Sequence, residues 1–250
     1  MQKLTSNGSY LMQLGCGGSG NCAASSANGR FANPQGVAID SSGNIWVVDY
    51  DNHRVEKFNR SGTWLQSIGG VPPTFTCETA PSGSVPACAA GAGNGQFNHP
   101  VSVAIDSRDN VWVTDYTGAR VQEFNSSGTY LNSISTHLTG PWGITIDASG
   151  NFWVAERGSE SMREFNSSGV YQNTFDGPNG SANGQFRQET DIAIDPSGNL
   201  WVTDGTNQRV QKFDSTGTYL SQLGCATGAC SSGLGNGQFN VPGFIAIGAR

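Results

Sequence analysis

Short apolar runs alternate with clusters of turn-forming residues along the whole chain. Residues 37–40 (VAID) are followed by the polar residues SSGN, then by the apolar run IWVVD at 45–49 and by RVEKF at 54–58. Runs of this length, rich in Val, Ile, Trp and Phe and bounded by Gly, Ser, Asn and Asp, are typical of β-strands. The pattern therefore predicts an all-β fold made of many short strands.

Two local details of this pattern predict specific backbone features. Val55 and Phe58 stand three residues apart, so strict alternation would place them on opposite faces; we expect a bend or β-bulge there, or one side chain outside the core. Gly43 is expected to adopt a positive φ, and Asp40 to accept hydrogen bonds from the backbone of its own turn. Three further aspartates are expected to form the same turn: Asp106, Asp147 and Asp195.

The pattern recurs in four segments of 42 residues each. A repeat of this length is typical of the four-stranded blades, with strands a to d, of a β-propeller. We therefore predict a single β-propeller domain over residues 1–250, with full blades at 28–69, 94–135, 136–177 and 183–224. Tryptophans recur at one position of these segments and are predicted to pack between blades rather than to bind ligands: Trp46, Trp112, Trp153 and Trp201.

The two ends of the chain carry parts of further repeats. Residues 1–15 align with 210–224 and are predicted to be strands c and d of a partial blade, and residues 236–250 supply a strand a. Either the two ends share a fifth blade and close the ring, or the chain is a fragment of a longer propeller; we favour the fragment. In an open ring the exposed blade edges would favour self-association.

Several short motifs identify a family resemblance. The run D-N-H-R-V at 51–55, with G-A-R-V at 118–121 and N-Q-R-V at 207–210, resembles the NHL repeat, whereas the third segment departs with S-M-R at 161–163. The resemblance implies a propeller, usually of six blades, that binds a protein, an RNA or an extracellular ligand; a minority of the family are enzymes, among them peptide-amidating lyases. Residues 140–156 also resemble the repeat of streptogramin lyases.

From this resemblance we predict a non-enzymatic binding module that needs no cofactor or metal. The alternative is a metal-dependent lyase of the streptogramin or peptide-amidating type. The histidines do not match the amidating-lyase positions, and for streptogramin-lyase chemistry His137, beside G-P-W-G, is the candidate catalytic residue. A site shared by His99 and His137 lacks an evident third metal ligand. His53 occupies the N-H-R position and is expected to be structural.

Six cysteines form three local pairs in Gly/Ser-rich insertions between strands d and a. We predict disulfides within these pairs, although other pairings and a metal site are alternatives; the spacings do not match zinc ribbons. Disulfides imply a secreted or cell-surface protein, and since MQKLTSNGSY has no apolar signal core, further residues are expected upstream. The pairs are Cys16 with Cys22, Cys77 with Cys88, and Cys225 with Cys230.

Charge and hydropathy narrow the classes of partner. The formal net charge is −6 with 13 Lys and Arg residues in 250, which argues against a nucleic-acid partner because phosphate contacts need a basic patch. No apolar run approaches the length of about 18 residues that a membrane helix needs, so membrane insertion is not expected.

The order of strands predicts where a ligand would bind. In a propeller the b–c connections and the connections from strand d to the next strand a emerge on one face, and loops on a rigid scaffold carry most binding residues. We therefore predict that this face, walled by the cysteine-bearing insertions, binds an unidentified protein or glycan; the alternative is that the insertions are neutral decoration. The predicted binding residues are Tyr50, Asp51, Tyr116, Arg157 and Glu160.

Overall fold

The computed structural model describes residues 1–15, 24–69, 89–175, 179–224 and 236–247. It confirms an all-β propeller fold with four four-stranded antiparallel blades and one two-stranded sheet. Within each blade the strands pair in chain order, a to b to c to d. The strands are β1 (Gln2–Leu4), β2 (Tyr10–Gln13), β3 (Pro34–Ile39), β4 (Ile45–Asp49), β5 (Arg54–Phe58), β6 (Trp64–Ile68), β7 (Pro100–Ile105), β8 (Val111–Asp115), β9 (Arg120–Phe124), β10 (Tyr130–Ile134), β11 (Pro141–Ile146), β12 (Phe152–Glu156), β13 (Ser161–Phe165), β14 (Tyr171–Phe175), β15 (Glu189–Ile194), β16 (Leu200–Asp204), β17 (Arg209–Phe213) and β18 (Tyr219–Leu223).

Blade 1 is β3–β6, blade 2 is β7–β10, blade 3 is β11–β14 and blade 4 is β15–β18. The chain divides into two compact units, Met1–Ser133 and Ile134–Arg250. The first contains β1, β2 and blades 1 and 2, apart from the last residue of β10; the second contains blades 3 and 4. In the described part of the first unit, a 3-10 turn at Tyr50–Asn52 connects β4 to β5. Within the described ranges, no helix has the length and hydropathy to cross a membrane.

The turn between strands a and b forms as predicted. Asp40 Oδ1 accepts the backbone N–H groups of Ser42 at 3.1 Å and Asn44 at 2.8 Å, while Gly43 adopts φ 79°. Asp40 Oδ2 accepts the indole N–H of Trp46 at 3.2 Å. The backbone bonds recur at three turns, those of Asp106, Asp147 and Asp195.

Strand c pairs with strand b without a break, so the bend or β-bulge expected in strand c is not observed. β5 pairs with β4 residue by residue over its whole length, and Val55 and Phe58 therefore lie on opposite faces. Both are buried, because Val55 packs with Trp46 between blades 1 and 2, whereas Phe58 packs with Phe31 on the other face. The irregular pairing of β5 with β6 places one extra residue in β6, and β14 and β18 have the same irregularity.

Two of the recurring tryptophans, Trp46 and Trp153, pack between blades, as expected. In the first unit Trp46 is fully buried against Val103, Val111 and Val113 of blade 2. In the second unit Trp153 packs with Ile192 and other core residues of blade 4. Each blade therefore buries its apolar face against its neighbour within the unit.

Two predicted boundaries need correction. In blade 3 Asp147 stands as far after Ser135 as Asp40 stands after Asn28, so equivalent positions are counted from 135 and not 136. β1 and β2 form as predicted, but the predicted strand a at 236–250 does not pair into a sheet within the described range, which ends at 247. This segment contacts blade 4 through individual hydrogen bonds and not through a strand ladder. The backbone N–H of Ile245 donates to Asp191 Oδ2 at 3.0 Å.

Candidate functional site

The b–c connection and the start of strand a lie at the same end of each blade. Register pairs Pro34 with Asp49 in blade 1 and Pro100 with Asp115 in blade 2. In the second unit Pro141 pairs with Glu156. The predicted binding residues therefore stand at the end of the blades where the d-to-a connections arrive; we call this end the loop face, described below for each unit separately.

A buried ion pair fixes the loop face of blade 1. Arg54 Nε lies 2.9 Å from Asp49 Oδ2, and both side chains are inaccessible to solvent. The other guanidinium nitrogens donate to backbone carbonyls of the arriving connection, those of Ser26, Ala27 and Arg30. The arginine of the NHL-like motif is therefore structural: it ties the b–c loop to the connection that enters its own blade.

Blades 2 and 4 repeat this arrangement. Arg120 Nε lies 2.8 Å from Asp115 Oδ2, and Arg209 Nε lies 2.8 Å from Asp204 Oδ2. Each guanidinium again bonds carbonyls of the arriving connection. Burial raises the pKa of Asp115 to about 6, against the opposing effect of its hydrogen bonds and of Arg120.

Blade 3 lacks the arginine. Ser161 stands in its place, and the aspartate is replaced by Glu156, which accepts the Thr139 backbone N–H at 2.7 Å and the Thr139 hydroxyl at 2.8 Å. The connection into this blade is also short, spanning 135–140, whereas the connection into blade 2 spans 69–99. The departure S-M-R thus coincides with a short connection that leaves few loop carbonyls for an arginine to bond.

Imidazole and phenol rings gather on the loop face of the first unit. His53 Nδ1 accepts the backbone N–H of His99 at 3.1 Å, so the proton of the neutral ring resides on Nε2. The His99 ring lies 4.6 Å from the His53 ring and 4.7 Å from the Tyr50 ring, measured between centroids. Burial, and then the charge of His99, lower the pKa of His53, while Asp51 acts in the opposite direction.

Two more predicted residues adjoin this cluster. The Tyr116 backbone N–H donates to the His99 carbonyl at 3.2 Å, and Asp51 is exposed beside His53 on the same turn. The structure therefore places the Tyr50 ring and the Tyr116 backbone against His99, with Asp51 beside His53. His99 was not among the predicted binding residues; its position directly before Pro100, like that of Asn33 before Pro34, is the sequence signal that places it here.

The loop face of the second unit carries a different pair. The Arg157 guanidinium lies over the Trp142 ring, 4.3 Å from the centroid, which is a cation–π contact. Glu160 follows on the same loop with φ 52°, and its Oε2 is buried without a hydrogen bond in the described part of the chain. No ion pair joins Arg157 to Glu160 among the described residues. Trp142 was missed from the sequence, although G-P-W-G departs from the other three blades at that position.

The candidate catalytic residue, His137, lies on the connection between β10 and β11. His137 is exposed, and its ring stacks on Tyr171 of β14, the outermost strand of blade 3, at 3.9 Å between centroids and 16° between planes. His99 has His53 as its imidazole partner. Over the described ranges, no group of three or more His, Cys, Asp or Glu side chains has a metal-binding arrangement. The six cysteines lie outside the described residues, so the disulfides stay a prediction.

Sequence comparisons detect one repeat family. The NHL repeat matches residues 31–58, 97–124 and 190–213. Human "NHL repeat-containing protein 3" is 26% identical over 145 residues, which cover 56% of this chain and 35% of the relative. The "Probable peptidyl-alpha-hydroxyglycine alpha-amidating lyase" of Caenorhabditis elegans is 32% identical over 109 residues, which cover 43% of this chain and 27% of the relative. The chain thus spans about a third of the length of these curated relatives.

Solved structures share the fold. A streptogramin B lyase superposes with a TM-score of 0.59 at 16% identity, covering 82% of this chain and 58% of that one. A protein of unknown function from Bacteroides caccae gives a TM-score of 0.59 at 17% identity and covers 88% of this chain and 73% of that one. At such identities the likeness establishes the propeller fold alone.

Proposed function

We propose, from the premise that this chain is an NHL-repeat β-propeller protein, that it is a non-enzymatic binding module whose loop face takes a protein or glycan ligand. The observation that carries the proposal is the contact of the Tyr50 and His53 rings with the His99 ring, beside the Tyr116 backbone that bonds the His99 carbonyl. The strand ends that lead into these loops carry the buried Asp49–Arg54 and Asp115–Arg120 ion pairs.

Rigid aromatic side chains suit recognition. They offer a large contact area and lose little conformational entropy on binding, so they are enriched at the centres of interfaces. The second unit offers a comparable element, because the Trp142 ring holds the Arg157 guanidinium in one orientation. Within the described part of the chain that guanidinium forms no ion pair with a carboxylate, so its fork of donors is available to a ligand.

Ligand screening with matched variants tests this proposal. The folded protein would be screened on a glycan array and against extracellular proteins, and each hit measured by calorimetry with Tyr50→Ala, Tyr116→Ala and the double variant. We expect a loss of affinity of about tenfold or more for each, as for an interface hot spot. Tyr10→Ala is the control, since Tyr10 is exposed on β2 away from the loop face. Unchanged affinity in the double variant would refute the loop face as the ligand surface.

A lyase is the second candidate, supported by the C. elegans relative's similarity and by the streptogramin-like segment at 140–156. It would use His137 as its base. Metal content of the purified protein and turnover of a peptidyl-α-hydroxyglycine or a streptogramin B substrate distinguish it from a binding module. Turnover that is lost in His137→Ala would replace the proposal above; turnover that persists in His137→Ala would exclude that residue.

We further propose a secreted or cell-surface location, supported by the even, locally paired cysteines. Thiol titration under denaturing conditions, before and after reduction, tests it. Six thiols that react only after reduction are expected, whereas six reactive thiols before reduction would refute the disulfides. Mapping of linked peptides would then establish the pairing.

A further inference from the structure

We propose that Asn59, Asn125 and Asn166 are acceptors of N-linked glycans, one on the turn between strands c and d of each of blades 1, 2 and 3. The glycan is attached to the side-chain amide nitrogen, Nδ2. This inference rests on the proposed secreted location and does not depend on the ligand of the loop face.

The three asparagines share an acceptor sequence. Each is followed by one residue other than proline and then by a serine, in the triplets 59–61 (NRS), 125–127 (NSS) and 166–168 (NSS). The pattern Asn-x-Ser is the acceptor sequence for N-glycosylation and indicates a surface loop of a secreted protein. Asn7 and Asn179 begin two more such triplets, but only the three above recur at one position of the blades. The repeated position is the stronger candidate, because the fold presents it in the same way in three blades.

The turn itself uses only the oxygen of each asparagine. Asn59 Oδ1 accepts the backbone N–H of Ser61 at 3.0 Å and that of Thr63 at 2.9 Å. Asn125 and Asn166 form the same two bonds. These bonds engage the oxygen of the amide group and leave Nδ2 outside the hydrogen bonds of the turn.

Blade 4 shows that the turn does not need the amide nitrogen. Asp214 stands at the same position, and its Oδ1 accepts the backbone N–H of Thr216 and that of Thr218, both at 2.9 Å. A carboxylate therefore forms this turn as well as an amide does. The nitrogen that blades 1, 2 and 3 carry is thus available for another role.

Each of the three Nδ2 atoms is accessible. Within the described residues none of them donates a hydrogen bond, and none is a buried polar atom without a partner, so all three reach solvent. The serine that the acceptor sequence requires is exposed in each case, at Ser61, Ser127 and Ser168. Replacement of one Nδ2 hydrogen by a sugar leaves Oδ1 in place as an acceptor, so the turn and the glycan are compatible.

These turns lie at the end of the blades away from the loop face. In blade 1 Asn59 follows Phe58, which pairs with Ile45 at the start of β4, whereas Asp49 and Arg54 pair at the loop-face end. Blades 2 and 3 have the same pairing of strands b and c. Glycans on these turns therefore extend from the opposite end of each blade and leave its loop face uncovered for a ligand.

The glycosyl donor is a lipid-linked oligosaccharide diphosphate. The bond between C1 of the first sugar and the diphosphate oxygen breaks, a bond between C1 and Nδ2 forms, and the amide nitrogen loses one proton. The lipid diphosphate leaves with the bonding electron pair, and neither partner is oxidised or reduced.

Secretion of the whole chain from a eukaryotic host tests the proposal. The chain would be expressed behind a cleavable signal sequence, and its peptides mapped by mass spectrometry before and after treatment with peptide-N-glycosidase, which converts each glycan-bearing asparagine to aspartate. We expect conversion at Asn59, Asn125 and Asn166. An asparagine that is unmodified in the secreted protein would overturn its assignment as an acceptor.

Variants of the turns supply matched controls. Asn125→Asp removes the nitrogen but keeps the oxygen acceptor that Asp214 shows to be sufficient, so it should fold and lose one glycan. Ser127→Ala keeps Asn125 but removes the hydroxyl of the acceptor sequence, and it should lose the same glycan. Asp214→Asn creates the triplet Asn-Ser-Thr in the same turn of blade 4 and should gain one glycan. If Asp214→Asn gains a glycan while the three native asparagines carry none, the host is competent and the proposal is wrong.

Failure of this proposal is distinguishable from failure of the secreted location. Thiol titration tests the location through the cysteines, and thiols that react before reduction would refute it whatever the host attaches to the turns. Thiols that react only after reduction, together with unmodified asparagines at the three turns, would refute the glycan sites alone.

Discussion

His53 Nδ1 accepts the backbone N–H of His99, 3.1 Å away and 46 residues later in the chain. The amide oxygen of Gln208 accepts the backbone N–H of Val241 at the equivalent position of blade 4. In both cases a residue with positive φ on the b–c loop holds the residue before a proline, at the start of the next repeat. The bond is therefore a repeated contact between successive repeats, and His53 makes it dependent on pH.

Replacement of His53 should change the pH dependence of stability. Its pKa in the folded state is below the ordinary value of 6.5, so the unfolded state binds the proton more readily between the two values. The free energy of unfolding contributed by His53 is therefore fully present above about pH 6.5 and is lost as the pH falls through the lower folded pKa. Urea titrations of wild type and His53→Gln from pH 5 to 8 should show that the glutamine variant lacks this decline.

His53→Ala is the companion variant, because it removes the acceptor altogether. Alanine already occupies the equivalent positive-φ position as Ala119, so backbone strain is acceptable there. We expect a loss of about 1 kcal/mol at pH 8, the worth of one hydrogen bond. A His53→Ala variant as stable as wild type at pH 8 would show that the bond to His99 contributes nothing.

Replacement of Glu56 by glutamine should stabilise the folded protein. Burial raises the pKa of Glu56 to about 8, against the attraction of Arg54 at 2.8 Å, and Asp49 adds to the rise. Because the folded pKa exceeds the unfolded value of 4.5, the folded state binds the proton more readily, and stability declines as the pH rises from about 4.5 to 8. Glu56→Gln should raise the free energy of unfolding by about 2 kcal/mol at pH 8 and by little at pH 4.

The other blades supply the control for Glu56. Gln122 and Gln211 occupy the equivalent position, and each accepts a backbone N–H with its amide oxygen, as Glu56 does from Gly29. Gln122→Glu should therefore introduce the same pH-dependent loss into blade 2. Equal stability of wild type and Glu56→Gln at pH 8, measured by urea unfolding, would contradict the assigned role of the buried charge.

The fold could be predicted from local sequence patterns, because the same strands and turns recur in each of the four repeats. The Asp40 turn is readable within a few residues, and its outcome, a positive-φ glycine, is local. The outcome of the Val55–Phe58 spacing was not readable, because it depends on neighbouring elements that cover both faces of the blade and bury the two side chains on opposite sides. The His53–His99 contact was not readable, because it depends on how two blades pack and on the backbone conformation before Pro100. The Trp142–Arg157 contact was not readable either, because it joins strand a to a side chain of the b–c loop, and the sequence does not show which loop side chain lies over the ring.

Removal of Arg120 should be strongly destabilising. Arg120→Met would leave the buried Asp115 without its cation, and would remove the guanidinium hydrogen bonds to the carbonyls of Ala92, Gly93 and Gln96. Breaking a buried pair in this way costs about 3–5 kcal/mol. Arg157→Met is the control, because its guanidinium packs on the Trp142 ring rather than on a buried carboxylate, and the change should cost less than about 1 kcal/mol. Thermal melts of both variants test this prediction. Similar melting temperatures for the two variants would show that the buried Arg120 does not stabilise the fold more than the loop arginine Arg157 does.

Gly36 tests how closely the strands a of blades 1 and 2 approach. A Cβ at Gly36 would lie 2.8 Å from the Cα of Ser102 and 2.9 Å from the Val101 carbonyl oxygen, both of them backbone atoms that cannot move aside alone. Gly36→Ala should therefore push the two strands apart and cost about 1–3 kcal/mol, as overpacked cores do. Gly243→Ala is the control, since nothing lies within 4 Å of its added Cβ, and it should melt at the wild-type temperature. If Gly36→Ala also melts at the wild-type temperature, the first unit accommodates a wider spacing between the blades, and the close packing that burial of Val103 implies is not required for its stability.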